Sequence, residues 1–328
     1  MPVQGGLFGP LEPDEPVVPR VLPAAQPDDL CALATRLPTR LRLGTSSWNF
    51  PGWRGLVYAP SAPQKHLSRH GLEAYGRHPL FRAVGLDRAF YAPLSTAEHA
   101  EHAAVVPPEF RFLVKAWGEI TSPGVPGKSA RNPRYLDAAQ AVDLVLAPAV
   151  EGLADRLGPL VFQFPPQGAA ICRRPEAFAD RLHAFLAALP TGANVCVELR
   201  DEALLTQRYA EALLATGTAH VFCIHPRMPS LERQREVVGL SAGGGGVTVR
   251  WMLHAGLGYE AAKEKYDPFD RLVDPDPTSR AAVSALVVDA LATVQDVTVV
   301  ANNKAEGSAP LTVIELARLL TSIPGVAG

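Results

Sequence analysis

No C-x-x-C pair occurs in this 328-residue chain, and its four cysteines, Cys31, Cys172, Cys196 and Cys223, stand far apart. That spacing argues against a structural zinc site and against a disulfide framework. Cys196 and Cys223 fall within apolar runs, where reduced, buried thiols are the expectation. No uninterrupted apolar stretch reaches the ~18 residues that a bilayer span needs. The opening residues, MPVQGGLFGP, lack the basic and apolar regions of a secretory leader, so the expected compartment is the cytoplasm. Charge of neither sign dominates. With 31 Lys and Arg against 33 Asp and Glu, the net charge is -2, and a nucleic acid would have to be held by a local basic patch. The P-loop, G-x-S-x-G, H-E-x-x-H and kinase signatures are also missing, and no nucleotide-cofactor motif is present.

What is there is a large globular core in the making: 47% of the residues are hydrophobic. Residues 1–38 are proline-rich and aperiodic, which predicts a poorly ordered or surface-hugging lead-in with a short helix near 27–36, capped by Asp28 or Asp29. Residues 39–324 read as one domain. Short β-type runs at 41–45, 81–86, 110–115, 160–164, 194–199, 220–225, 247–254 and 297–302 alternate with helical patterns. The clearest of these are 96–105, 135–157, 176–189, 202–215, 279–294 and 311–320. The sixth connection is weakly helical, and 241–246, with four consecutive glycines, reads as a surface loop. Such alternation implies a parallel sheet covered by helices. Eight units in roughly 280 residues fit a TIM-like (β/α)8 barrel of the α/β class. The competing open, doubly wound sheet would place G-x-G-x-x-G after its first strand, where this chain has Gly44-Thr45-Ser46-Ser47-Trp48.

Barrel sites form where strands end, so polar residues there are informative. Trp48, Asp87, Lys115, Gln163, Glu198, Arg200, His225, Arg250, His254, Asn302, Asn303 and Glu306 all fall at or just past predicted strand ends. Side chains alternate between the barrel interior and the surrounding helices. Val195, Val197 and Leu199 form the outward set of the fifth run, which turns Cys196, Glu198 and Arg200 inward. The same argument turns Lys115, Gln163, His225, Arg250, Met252 and His254 inward, and leaves Asn302 and Asn303 unresolved. Several charges buried together must pair with one another or meet a polar ligand. The cluster is therefore either an ionic plug in the barrel mouth or a ligand site.

Several segments resemble the domain of unknown function 72 family, also called YecE-like, over roughly residues 41 to 321. They are Thr45-Ser46-Ser47-Trp48 with Trp53, Gly55 and Tyr58; Phe90-Tyr91; Phe112 to Ala116 followed by Ile120-Thr121; the run from Leu157 to Pro166; Val197 to Arg200; and Asn302 to Gly307. The resemblance implies a TIM-like barrel and brings no established reaction. The chain departs from the family pattern at Gly85, near Leu204 and at Ser308, where an acidic residue, an aromatic and a histidine are expected. It reads as a divergent branch.

For catalysis the expected residues are Glu198, Lys115 and His254. Glu198 suits a general base or a metal ligand, and equally a carboxylate locked to Arg200 or Arg250. Lys115 suits a Schiff base or a fixed charge for a carboxylate or phosphate. Glu198, His225 and His254 form a candidate set for a divalent metal, beside the plainer reading of hydrogen-bonded histidines. Trp48, Asp87, Gln163, Arg200, Arg250, Asn302, Asn303 and Glu306 are the candidate substrate-binding residues, with the aromatics Trp48, Trp53, Tyr58, Phe90 and Tyr91 as possible walls or plain packing. The expected function is a small-molecule enzyme, a hydrolase, lyase or isomerase for a hydroxylated or phosphorylated substrate. The alternative is a non-catalytic barrel that grips an anion or nucleic acid through Arg42, Lys65, Arg69, Arg77, Lys128, Arg131 and Arg134. Oligomeric state is left open.

Overall fold

All eight β-type runs become strands, because strands covered on both faces are rich in Val, Leu, Ile and Phe. In a computed structural model that describes residues 20–59, 62–124, 131–240, 245–293 and 295–326, they lie parallel in one closed barrel. The strands are β1 (Leu41–Thr45), β2 (Phe81–Leu86), β3 (Arg111–Lys115), β4 (Leu157–Gln163), β5 (Val195–Glu198), β6 (Ala219–Ile224), β7 (Val247–Trp251) and β8 (Val297–Ala301). Closure is made by β1 pairing with β8, Leu41 opposite Val297 and Thr45 opposite Ala301. This is a TIM-like (β/α)8 architecture.

The alternation expected from the sequence holds inside the strands. Leu113, Val161, Cys196, Ala219, Val221 and Val300 meet one another in the barrel interior. Their strand neighbours Phe112, Val114, Phe162, Val197, Phe222 and Val299 belong to the larger layer between sheet and helices. The first two strands approach each other closely at glycines. A Cβ on Gly44 would lie 1.9 Å from the Ala83 carbonyl oxygen, and one on Gly85 would lie 2.8 Å from that of Ser46. No side chain fits at either place without moving backbone.

Some boundaries differ from expectation, each for a local reason. The stretch 135–157 is helical over Ala138–Leu153, entered through Asp137, whose carboxylate accepts the Gln140 amide, interrupted by a π turn at Val142–Leu146 and closed by a 3-10 turn at Ala154–Arg156. β4 begins at Leu157, three residues early, since Gly158 and Pro159 disguise its start as a turn. The stretch 202–215 splits into a single turn, Glu202–Leu204, and a helix, Gln207–Thr216, because Thr206 caps the latter. The sixth connection does contain a helix, Leu231–Val238, capped by Ser230. Of the glycine-rich loop, residues 241–244 lie outside the described residues.

The described part of the lead-in packs on the barrel. Val21 and Ala24 are buried, and the Ala24 amide donates to the Val57 carbonyl. The helix Asp28–Thr35 has Pro27 at its N-cap, so Asp28 and Asp29 sit in its first turn and do not cap it. Residues 1–19 lie outside the described residues. No helix among the described residues is long and apolar enough to cross a membrane.

Candidate functional site

The C-terminal ends of the strands enclose a cavity of about 560 Å³. Its floor is an ionic layer set directly on the interior cluster. Arg250 of β7 reaches across the barrel, where its Nη1 donates to Glu198 Oε2 at 2.6 Å and its Nη2 donates to Asp87 Oδ1 at 2.9 Å. Arg200 pairs with the other oxygen of Glu198. The Cys223 thiol lies 3.5 Å from that same oxygen. Glu198 and Arg250 are both 0% exposed. Burial alone would push the Glu198 pKa up, but the Arg200 and Arg250 guanidiniums outweigh it and hold the carboxyl at about 2. Burial opposes the Arg250 charge as well, yet Glu198 and Asp87 overcome this and raise its pKa.

The walls carry charges of a different kind. Lys115 points its Nζ at the face of Phe90, 3.7 Å from the ring centroid, and Lys304 lies 4.2 Å from the centroid of Tyr259. Among the described residues, neither ammonium has a carboxylate within ion-pairing distance. Burial lowers the pKa of both lysines to about 8, with Asp87 acting in the opposite direction on each. Gln163, Arg200, Arg227, His225 and Asn302 complete the polar lining, and Met252, Leu253 and Leu257 the apolar side. His225 accepts the Arg227 amide at Nδ1, so its proton belongs on Nε2. Burial and the Arg200 charge lower its pKa to about 4, and the ring is neutral near pH 7. Asn302 donates to Ser46 Oγ at 2.7 Å and accepts the Lys304 amide, which fixes the segment that aims Lys304 inward.

The residues singled out in the sequence divide accordingly. Asp87, Lys115, Gln163, Arg200, His225 and Asn302 line the cavity. Glu198 and Arg250 lie in the floor; Glu198 is 0% exposed, paired on both oxygens with guanidiniums, and does not line the cavity. His254 falls past the end of β7, off its alternation. There it donates through Nδ1 to the Ala255 carbonyl at 2.8 Å and does not line the cavity. Trp48 points outward, its indole donating to the Leu67 carbonyl at 3.2 Å. Asn303 faces away from Asn302, and its Oδ1 accepts Trp53 Nε1 at 3.2 Å and the Ala309 amide at 2.8 Å. It thereby caps the helix Ala309–Ser322, a task Ser308 leaves undone. Glu306 accepts the Asp276 amide and pairs with Arg280. Trp53 and Tyr58 are buried packing residues. Glu198, His225 and His254 do not converge, and among the described residues no three His, Cys, Asp or Glu side chains group as metal ligands.

Sequence reasoning offered Tyr91 as a possible wall and passed over Lys304, Tyr259 and Arg227 as site residues. Val300 lies in the barrel interior, which selects Asn302, whereas Lys304 sits in the turn after β8, beyond the reach of strand alternation. Arg227 sits on the loop after β6 and Tyr259 at the start of the helix Tyr259–Tyr266, where strand alternation does not operate.

A closed parallel barrel with a polar cavity at its strand ends defines a TIM-barrel protein with a site on the face this fold uses for ligands. The chain belongs to the family described as protein of unknown function DUF72, whose profile matches residues 42–326. A solved DUF72 family protein from Enterococcus faecalis V583 is 17% identical and superposes with a TM-score of 0.58, covering 85% of this chain and 97% of its own. Another, from Thermotoga maritima MSB8, is 18% identical with a TM-score of 0.55, covering 85% of this chain and 98% of its own. At that identity the likeness is one of fold. No curated protein matches the chain.

Proposed function

We propose that this protein is an enzyme for a small, hydroxylated substrate bearing a phosphate or carboxylate, bound in the cavity above the Glu198–Arg250 layer. The observation that carries this reading is the pair of cavity lysines without carboxylate partners. Holding an ammonium in a half-dry pocket is costly unless an anion completes it. The floor supplies that charge only in part: Asp87 acts on both lysines but is already paired with Arg250, and Glu198 is held by two guanidiniums.

In this reading Lys304 and Arg200 hold the anionic group, and Gln163, Asn302 and His225 Nε2–H orient hydroxyl or carbonyl oxygens. Lys115 carries the proton. With its pKa at about 8, on the order of a tenth of it is neutral amine at pH 7, which suits a group that gives and takes protons. Glu198 acts from below by keeping Arg200 and Arg250 in place. Of the basic-rim residues, Arg42 lies at the start of β1 on the opposite end of the barrel, paired with Asp296, while Arg77 and Arg134 pair with Glu73 and Glu119. Lys128 lies outside the described residues. That scatter favours an enclosed ligand over a polymer.

The test is a thermal-shift screen of purified protein against phosphorylated and carboxylated hydroxy compounds. Stabilising compounds are then incubated in heavy water and followed by NMR for product or for exchange of carbon-bound hydrogen. The expected result is anion-dependent stabilisation that is lost in Lys304→Met, and turnover that is lost in Lys115→Met. Stabilisation that persists in the double Lys115→Met/Lys304→Met variant would sink the proposal. So would stabilisation by oligonucleotides alone, fading with salt.

A further inference from the structure

Tyr91 is 80% exposed and Tyr259 is 57% exposed, yet both line the cavity. A lone exposed aromatic is ordinary. Two at the mouth of one pocket, delivered by loops that follow β2 and β7, are a built feature. The Asp87–Phe90 turn places Asp87 in the cavity wall and Phe90 beneath the Lys115 ammonium, and Tyr91 follows directly, its ring edge-on to Phe90 with centroids 5.7 Å apart. Tyr259 opens the helix Tyr259–Tyr266, and Lys304 takes one part of its ring. The rest of that ring is open. Each tyrosine thus leaves a rigid apolar face in water that packing elsewhere in the chain would have buried.

The depth order is equally definite. The tyrosines are the outer residues, while Lys304, 8% exposed, lies beneath them. A cavity of about 560 Å³ has room for a drug-sized ligand.

We infer that the pocket takes a flat aromatic ring carrying a single phosphate, with the ring laid against Tyr91 and Tyr259 at the mouth and the phosphate on Lys304 and Arg200 below. The inference rests on the cavity being an anion site and adds the identity of the other half of the ligand. Sugars without a flat ring engage only the inner half. Purine and pyridine rings share the required chemistry and are separated by the probes.

The experiment is isothermal titration of the full chain with adenosine monophosphate, pyridoxine phosphate, ribose 5-phosphate and adenosine. Stacking on one aromatic side chain is worth roughly five- to a hundredfold in affinity. At least one of the two ring phosphates is expected to bind about tenfold or more tightly than ribose 5-phosphate, and adenosine is expected to bind weakly. In Tyr91→Ala/Tyr259→Ala the preference should shrink to within about threefold, while Tyr91→Phe/Tyr259→Phe should retain it. Both tyrosines are exposed, so circular dichroism should confirm an unchanged fold. Ribose 5-phosphate binding as tightly as the ring phosphates, or a preference unchanged in the alanine variant, overturns the ring half alone, provided binding still requires Lys304. Absence of binding by every phosphate overturns the anion site and the inference with it.

Discussion

Replacing Glu198 with glutamine separates a structural carboxylate from a catalytic one, because the two roles predict opposite stabilities. The side chain is 0% exposed and its two oxygens serve Arg200 and Arg250, the latter itself fully buried. Glutamine keeps the shape and one acceptor but removes the charge that both guanidiniums share. Breaking a buried ion pair from one side typically costs about 3–5 kcal/mol. The titration of the group gives a similar figure. A carboxyl held at about 2 against an ordinary 4.5 is stabilised by about 3 kcal/mol. Its folded pKa is depressed, so this contribution is complete above the unfolded pKa and is lost as pH falls from about 4.5 toward 2. Glu198→Gln should therefore unfold at lower urea concentration by about 3 kcal/mol at pH 7, with an unchanged slope. The deficit relative to wild type should narrow below pH 4. Paired replacement of Glu198 by Gln and Arg250 by Met should cost less than the sum of the single changes, since the orphaned charge goes too. A Glu198→Gln protein with wild-type stability and no activity would refute the reasoning and return Glu198 to the substrate.

Two further outcomes follow from the geometry. Affinity for a permanently charged probe such as a sulfate ester should be greatest below pH 8 and fall as pH rises through about 8, where Lys115 and Lys304 lose their protons; calorimetry with a pH-independent affinity up to pH 10 would contradict this. Asn303→Ala should lower stability by about 1–3 kcal/mol in denaturant titrations, by freeing the Trp53 indole and the Ala309 amide, while leaving ligand affinity within about twofold; a selective loss of affinity would place Asn303 in the site after all.

The fold was legible because a parallel barrel writes each strand as a short β-type run rich in buried apolar residues, and the eight runs predict eight strands. Side-chain alternation was legible for the same reason, and it placed Lys115, Gln163, Glu198, Arg200 and Arg250 toward the axis correctly. It failed where the chain leaves the pleat. β7 ends at Trp251, so His254, three residues on, no longer obeys the count. Asn302 and Asn303 are neighbours on opposite faces, and nothing local distinguishes them until Val300 is seen in the interior. Charge partners were harder still. Arg250 and Asp87 are 163 residues apart, and only closure of the barrel brings them together. Of the tyrosines of the mouth, Tyr91 follows a single turn and Tyr259 opens a helix, both outside the strands, so strand alternation has no hold on them.

The departures from the family pattern bear on packing around the cavity more than on its charge. Gly85 faces the Ser46 backbone, where a Cβ would already approach within 2.8 Å, so the acidic side chain expected there has no room. Leu204 is 0% exposed and does not line the cavity. Ser308 is equally buried, with its hydroxyl unpartnered at the start of the final helix, on a segment that Asn303 and Glu306 tie to the outer shell. None of the three removes a cation from the pocket. Below it, Glu198 and Asp87 balance Arg200 and Arg250 charge for charge, and the layer contributes little net field. Arg227 is answered by Asp201. Among the described residues, Lys115 and Lys304 are the cavity cations without an ion-paired carboxylate, Asp87 acting on them only from its pair with Arg250, and under the proposed reading the ligand's anion completes their balance.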